Sequence, residues 1–204
     1  DWFLRETPSS SPLKFSALSP DRKQVFVYQR ILRAILARSI DTGSERIMYR
    51  SQVPGAILSL APSPDGGSLL FIEVDYGSRS LAVRVLPVDS DEPVTLLTRS
   101  SKGLTGAGGT WTHDGRHVLC WIDTADKNGP LGGVVWLVPA SGGAAFQILS
   151  APTITGLELS PDDRFVAFSA RAKGGIEVWS VGPVAGGQPR AVTRAREASS
   201  ARSK

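Results

Sequence analysis

The chain has 204 residues, 41% of them hydrophobic and 21% charged, and carries a formal net charge of +4. This is the composition of an ordinary globular chain with room for one sizeable core, neither low-complexity nor charge-driven. No apolar run approaches the roughly eighteen residues of a transmembrane helix, and one cysteine excludes an internal disulfide framework.

A short phrase recurs four times: a hydrophobic stretch, a turn of Pro-Asp type, and a second hydrophobic stretch. In chain order the copies are Leu18-Ser19-Pro20-Asp21, Pro62-Ser63-Pro64-Asp65-Gly66, Trp111-Thr112-His113-Asp114-Gly115 and Leu159-Ser160-Pro161-Asp162-Asp163. The turn aspartates Asp21, Asp65, Asp114 and Asp162 lie 44, 49 and 48 residues apart. A period of that length marks stacked supersecondary units, and the four-stranded propeller blade is the all-β unit of that size.

The first turn leads into the strand-like run Gln24–Gln29. Ile31, Leu32, Ile35 and Leu36 follow at helical spacing. The repeat register instead predicts a short loop and a third strand from Ala34 to Ile40, then the turn Asp41-Thr42-Gly43-Ser44 and a fourth strand over Glu45–Arg50. The second unit runs Ser68–Val74, Ser80–Leu86, a turn from Val88 to Pro93, and Val94–Arg99. The third runs His117–Ile122, Gly133–Val138, Ser141-Gly142-Gly143 and Ala145–Ser150. The fourth runs Phe165–Ala170, Gly175–Val181, Pro183–Gly187 and Gln188–Arg194. These runs are short and dense in Val, Ile, Leu, Phe and Trp, as strands buried on both faces require. Each unit is therefore expected to be a four-stranded antiparallel meander.

The turn residues have a physical task. Pro presets φ, Asp accepts a backbone N–H two residues on, and Gly tolerates left-handed geometry. His113 stands where the other copies have Pro, and Arg22 and Asp163 stand where Gly is expected. All three read as variation that a structural turn absorbs.

The phrase Ser-Pro-Asp, a hydrophobic strand, a Gly-containing break and an Ile-x-Val-Trp strand resembles the WD40-like Pro-Asp repeats of TolB-type β-propellers. The fourth copy is the clearest, with Leu159–Asp163, Arg164–Ser169 and Gly175-Ile176-Glu177-Val178-Trp179. The resemblance runs from about Leu13 to Arg194. It implies an all-β propeller of about four blades, over residues 9–53, 54–103, 104–153 and 154–194. Residues 1–8, Asp1 to Pro8, read as the last strand and linker of a preceding blade. The chain then reads as the C-terminal part of a longer bacterial protein; a compact four-bladed ring closed by the N-terminal strand is the alternative. Residues 195–204 read as a disordered basic tail. The cations Arg190, Arg194, Arg196, Arg202 and Lys204 gather near it as solvated charge rather than as a nucleic-acid site.

Few residues of the chain carry the makings of chemistry. There is no Gly-x-Ser-x-Gly elbow, and only His113 and His117 offer an imidazole. Both flank the third turn, four residues apart across it, which is not metal-binding geometry. Cys120 lies in an apolar strand and reads as a small buried hydrophobe rather than a reactive thiol. Thr124–Gly129 resembles part of a calcium loop but has Thr at the first ligand position and Val135 where the closing Glu belongs. Gly103–Gly109 lacks the Gly-Lys-Ser/Thr ending of a phosphate loop and reads as a passage between blades. Trp111, Trp121, Trp136 and Trp179 fall in strands and read as packing between blades. Asp89, Asp91 and Glu92, like Asp162 and Asp163, read as wet turn carboxylates.

No catalytic residue, cofactor or metal ligand is therefore assigned, and Asp21, Asp65, Asp114 and Asp162 are assigned as structural turn residues. The resemblance implies a non-catalytic platform for protein or ligand binding, the partner being another protein or a domain of the same parent chain. Its setting would be periplasmic or otherwise extracytoplasmic, with a cytoplasmic one left open. The rival reading is the propeller of a serine peptidase or hydrolase whose catalytic domain lies outside this chain.

Overall fold

The computed structural model describes residues 16–124, 132–151, 153–172, 175–181 and 190–195. Among these the chain forms strands only, in four antiparallel sheets of four consecutive strands each. The first sheet holds β1 (Ser16–Leu18), β2 (Gln24–Gln29), β3 (Ala34–Ser39) and β4 (Glu45–Arg50). The second holds β5 (Gly55–Pro62), β6 (Ser68–Asp75), β7 (Ser80–Pro87) and β8 (Val94–Ser100). The third holds β9 (Leu104–Trp111), β10 (His117–Thr124), β11 (Gly132–Pro139) and β12 (Phe146–Ala151). The fourth holds β13 (Ile154–Leu159), β14 (Val166–Ala172), β15 (Gly175–Val181) and β16 (Arg190–Ala195). Each sheet is a meander in chain order, which makes it a propeller blade.

The helical spacing of Ile31 to Leu36 loses to pairing. Ala34–Ser39 is β3, bonded to β2 and β4, and Arg30–Arg33 forms the hairpin between β2 and β3. Arg33 takes the left-handed conformation at that hairpin (φ 49°).

Alternation along the second strands explains why those of the two middle blades are apolar at most positions. In β6, Leu69 and Phe71 join the core shared with the first blade, alongside Phe26, Ile35, Met48 and Tyr49. Leu70, Ile72 and Val74 face the third blade and meet Ala107, Trp111, Val118 and Cys120. In β10 the same division sends Val118, Cys120 and Ile122 toward the second blade, and Leu119 and Trp121 toward Ile154, Val166 and Phe168 of the fourth. Side chains of period two on a strand with both faces covered are hydrophobic at most positions, and the buried exceptions, Glu73 and Asp123, each bond to a neighbouring blade.

The outer strands carry a repeated irregularity. The pairing of third to fourth strand slips by one residue at Ile35/Leu36, Val83/Arg84, Val135/Trp136 and Val178/Trp179. The extra residues are Met48, Leu96, Ile148 and Val192. A bulge of this kind turns two consecutive side chains to one face and increases local twist. Met48 with Tyr49, and Leu96 with Leu97, are accordingly both buried.

The glycine run corrects one expectation. Most of Gly103–Gly109 is not a passage between blades but the body of the inner strand β9. Gly108 lies opposite Trp121 in the β9–β10 pairing. A Cβ on it would stand 2.7 Å from the indole nitrogen, and one on Gly106 would stand 3.0 Å from the same ring. The missing side chains make a bed for Trp121.

Candidate interaction surface

The four aspartates predicted as turn residues all sit at the first hairpin of a blade, in one bonding scheme. The hydroxyls of Ser19, Ser63, Thr112 and Ser160 donate to Oδ1 of Asp21, Asp65, Asp114 and Asp162 at 2.6, 2.5, 2.6 and 2.6 Å. Each Oδ1 also accepts a backbone N–H two residues on, from Lys23, Gly67, Arg116 and Arg164, at 3.0, 2.9, 2.9 and 3.1 Å. Each hydroxyl in turn accepts the N–H of Gln24, Ser68, His117 or Phe165 at 2.9 to 3.0 Å. The hydroxyl–aspartate pair thus staples both sides of the turn, a role that Ser, Thr and Asp favour for the same reason they cap helices. Arg22 (φ 60°), Gly66 (φ 74°), Gly115 (φ 68°) and Asp163 (φ 55°) occupy the left-handed position.

These bonds set the charge. The hydroxyl donor first, and the backbone N–H second, hold all four carboxyls below the usual aspartate range. They are permanent anions at neutral pH and cannot donate a proton as general acids.

Turns of successive blades touch. Pro20 lies against Gly66, and Pro64 against Gly115, where an added Cβ would meet the proline rings at 3.7 and 3.9 Å. Between the third and fourth blades both members of this contact are replaced. Asp163 Oδ2 accepts the His113 backbone N–H at 2.7 Å, and Asp163 Oδ1 lies 2.7 Å from His113 Nδ1. Of the three departures read as tolerated variation, His113 and Asp163 are therefore a matched pair. Beside the first contact lies a shallow cleft of about 210 Å³ lined by Asp21, Gln24, Arg46, Asp65, Val88 and Asp89.

Because each blade is an antiparallel meander, its first and third connections leave one end of the blade stack and its second leaves the other. The end bearing the Pro-Asp turns exposes Asp21, Asp41, Asp65, Asp89, Asp91, Glu92, Asp114 and Asp162 against Arg22, Lys23, Arg46, Arg116 and Arg164. At the opposite end the described residues expose Arg30, Arg33, Arg50, Arg79 and Lys102, with Asp75 as the partly exposed acid. Asp75 is already engaged with Gly77 N–H and the Ser78 hydroxyl. Ile31 (94% exposed) and Tyr76 (65%) project from the hairpin tips of that end. Sequence reasoning missed this partition because it assigned turns but not the end each one occupies.

Two further carboxylates are buried between strands. Glu73 accepts from the Tyr49 hydroxyl at 3.1 Å and pairs with Arg84 at 3.3 Å. Burial first and the Glu73 charge second push the Tyr49 phenol up to about 12. Asp123 accepts the Ile154 N–H at 3.2 Å, and burial raises its carboxyl. Both tie one blade to the next. Cys120 is fully buried, and burial pushes its thiol up to about 12.

His117 closes the Thr112 turn through its backbone. Trp111 donates from Nε1 to Ala61 O at 2.9 Å across blades, and Trp136 carries the Arg99 guanidinium 4.2 Å above its ring. The Trp179 side chain, residues 1–15, the loop 125–131 and residues 196–204 lie outside the described set. Among the described residues no group of three His, Cys, Asp or Glu side chains could hold a metal ion, and no helix is long and apolar enough to cross a membrane.

The strand order and blade packing match solved structures. TolB from Acinetobacter baumannii aligns with a TM-score of 0.65 at 18% identity, over 88% of this chain and 43% of that one. The fold is that of a TolB-type β-propeller. A structure described as TolB from Agrobacterium tumefaciens aligns at 0.64 and 17% identity, over 89% of this chain and 65% of its own length. One of two prolyl endopeptidases aligns at 0.59 and 15%, over 93% of this chain and 29% of the enzyme. The chain therefore spans less than two thirds of the TolB structures it resembles. No protein-family model matches the sequence, and no curated protein matches it.

Proposed function

We propose that the chain is a non-catalytic interaction platform, a TolB-like propeller that holds another protein or a ligand against its loop-bearing ends. The observation that carries this reading is the division of charge between those ends, on turns rigidly stapled by their own hydroxyls and carboxylates. Anions fixed below their usual range suit recognition of a cationic or hydrogen-bond-donating partner better than proton transfer. The resemblance to TolB-type repeats supports the same reading. The prolyl endopeptidase alignment keeps a second one in view, in which the propeller serves a hydrolase domain carried elsewhere in the parent polypeptide.

Photo-crosslinking separates the two. A benzophenone amino acid placed at Asp91, on the acidic end, should give a discrete protein adduct in cells, or lose its adduct to a competing ligand. Covalent labelling of the parent polypeptide by a fluorophosphonate serine probe would overturn the non-catalytic reading, and absence of any adduct from the acidic end would remove the platform.

A further inference from the structure

The basic end carries the two most exposed large hydrophobic side chains among the described residues, Ile31 and Tyr76, each with arginine nearby. Ile31 stands 94% exposed at the tip of the β2–β3 hairpin, with Leu32 41% exposed beside it. Arg30 and Arg33 flank them directly. On the next blade Tyr76 is 65% exposed at the tip of the β6–β7 hairpin, with Arg79 three residues on. The two tips flank one connector and are tied to it, since Arg33 Nη1 donates to Val53 O at 3.4 Å and Tyr76 N–H donates to Pro54 O at 3.0 Å. Arg50 Nη1 donates to Leu32 O at 2.9 Å and holds the first tip in place.

From this geometry we infer that the hairpin end of the first two blades docks on an anionic lipid bilayer, with Ile31, Leu32 and Tyr76 entering the headgroup layer and the arginines binding phosphates around them. Aliphatic side chains on protruding tips need a partner that deforms around them, and a bilayer supplies that without a matching pocket. Tyrosine beside arginine is the pairing that the membrane interface favours, because each has an apolar body and a polar end. Basic groups near an anionic surface add to apolar insertion, and neither is strong alone. The acidic turns at the other end would be repelled, so the charge partition also sets the orientation.

This inference is independent of any protein partner, and vesicle flotation of the full chain tests it by itself. The protein should float with phosphatidylcholine vesicles containing phosphatidylglycerol and not with phosphatidylcholine alone, and added salt should weaken the association. Ile31→Ser with Tyr76→Ser, and separately Arg30→Glu with Lys102→Glu, should each lower the partition coefficient by about tenfold or more. All four positions are exposed, and unchanged melting temperatures would certify the fold. Lys23→Glu, on the acidic end, should leave flotation unchanged. Absence of flotation overturns the inference. So does flotation insensitive to Ile31→Ser with Tyr76→Ser, which would place the binding in charge alone or in other cations of the chain. Retention on immobilised polyglutamate without vesicle binding would also overturn it, in favour of an acidic protein surface.

Discussion

His113 and Asp163, fifty residues apart, clasp the third turn to the fourth through two contacts of 2.7 Å, one to the imidazole and one to the backbone. At the two preceding blade junctions the same positions are Pro facing Gly, where a Cβ on the glycine would reach van der Waals contact with the proline ring. A polar pair has replaced an apolar one, and each member makes sense only in the presence of the other.

That reciprocity predicts a coupling. His113→Ala and Asp163→Ala should each destabilise, and the double variant should cost less than their sum, with an interaction energy of about 0.5–1 kcal/mol. Urea denaturation of the four proteins measures it. Strict additivity would mean that the clasp contributes nothing in solution.

The stapled turns predict an acid sensitivity with a definite sign. The Asp65 carboxyl lies below the usual range because Ser63 and Gly67 bind its anion, so the unfolded chain takes up protons more readily in acid. The resulting stability is fully present above about pH 4 and is lost as pH falls through the lower folded value. Asp65→Ala should cost about 1 kcal/mol at neutral pH, by analogy with helix caps. Its deficit relative to the parent should shrink in acid. Thermal melts by circular dichroism across that range check both statements, and a deficit that does not change with pH would count against them.

Buried bonding between the first and second blades sets a third expectation. Tyr49→Phe keeps the ring against Phe71, 5.0 Å between centroids, but removes the donor to Glu73. Glu73 keeps Arg84 alone. The variant should lose about 1–2 kcal/mol, measured by denaturant titration, whereas a surface hydroxyl would lose almost nothing.

Cys120 should be inert in the folded protein. It is fully buried and its thiol is pushed up to about 12, so almost no thiolate exists at neutral pH. An aromatic disulfide reagent should react at the rate of unfolding in native buffer and at once in guanidinium chloride. Rapid labelling of the native protein would reopen a chemical role for this residue.

The candidate surface was legible in parts. Ser19, Asp21 and their counterparts announce themselves because the turn bonds run between residues two to five apart, a distance within which sequence is geometry. The pairing of His113 with Asp163 was not legible, since it depends on one turn lying over the next. Nor was the glycine bed under Trp121, because Gly108 and Trp121 are neighbours only through the β9–β10 register. In sequence Gly103–Gly109 reads as a connector for that reason. The bulges at Met48 and Leu96 were hidden as well, being set by the twist of the outer strands.

What the sequence determined alone was the blade: four strands, the turns between them, and runs apolar at most positions because both faces are covered. Local bonding and period-two patterning suffice for that. The tertiary structure decided which turns share an end, and so how a chain of modest net charge divides into an acidic face and a basic, apolar-tipped one. Charge is summed along a sequence but acts through space, and only the stacking of the blades brings Arg30, Arg33 and Arg79 to one side and Asp21, Asp65 and Asp114 to the other.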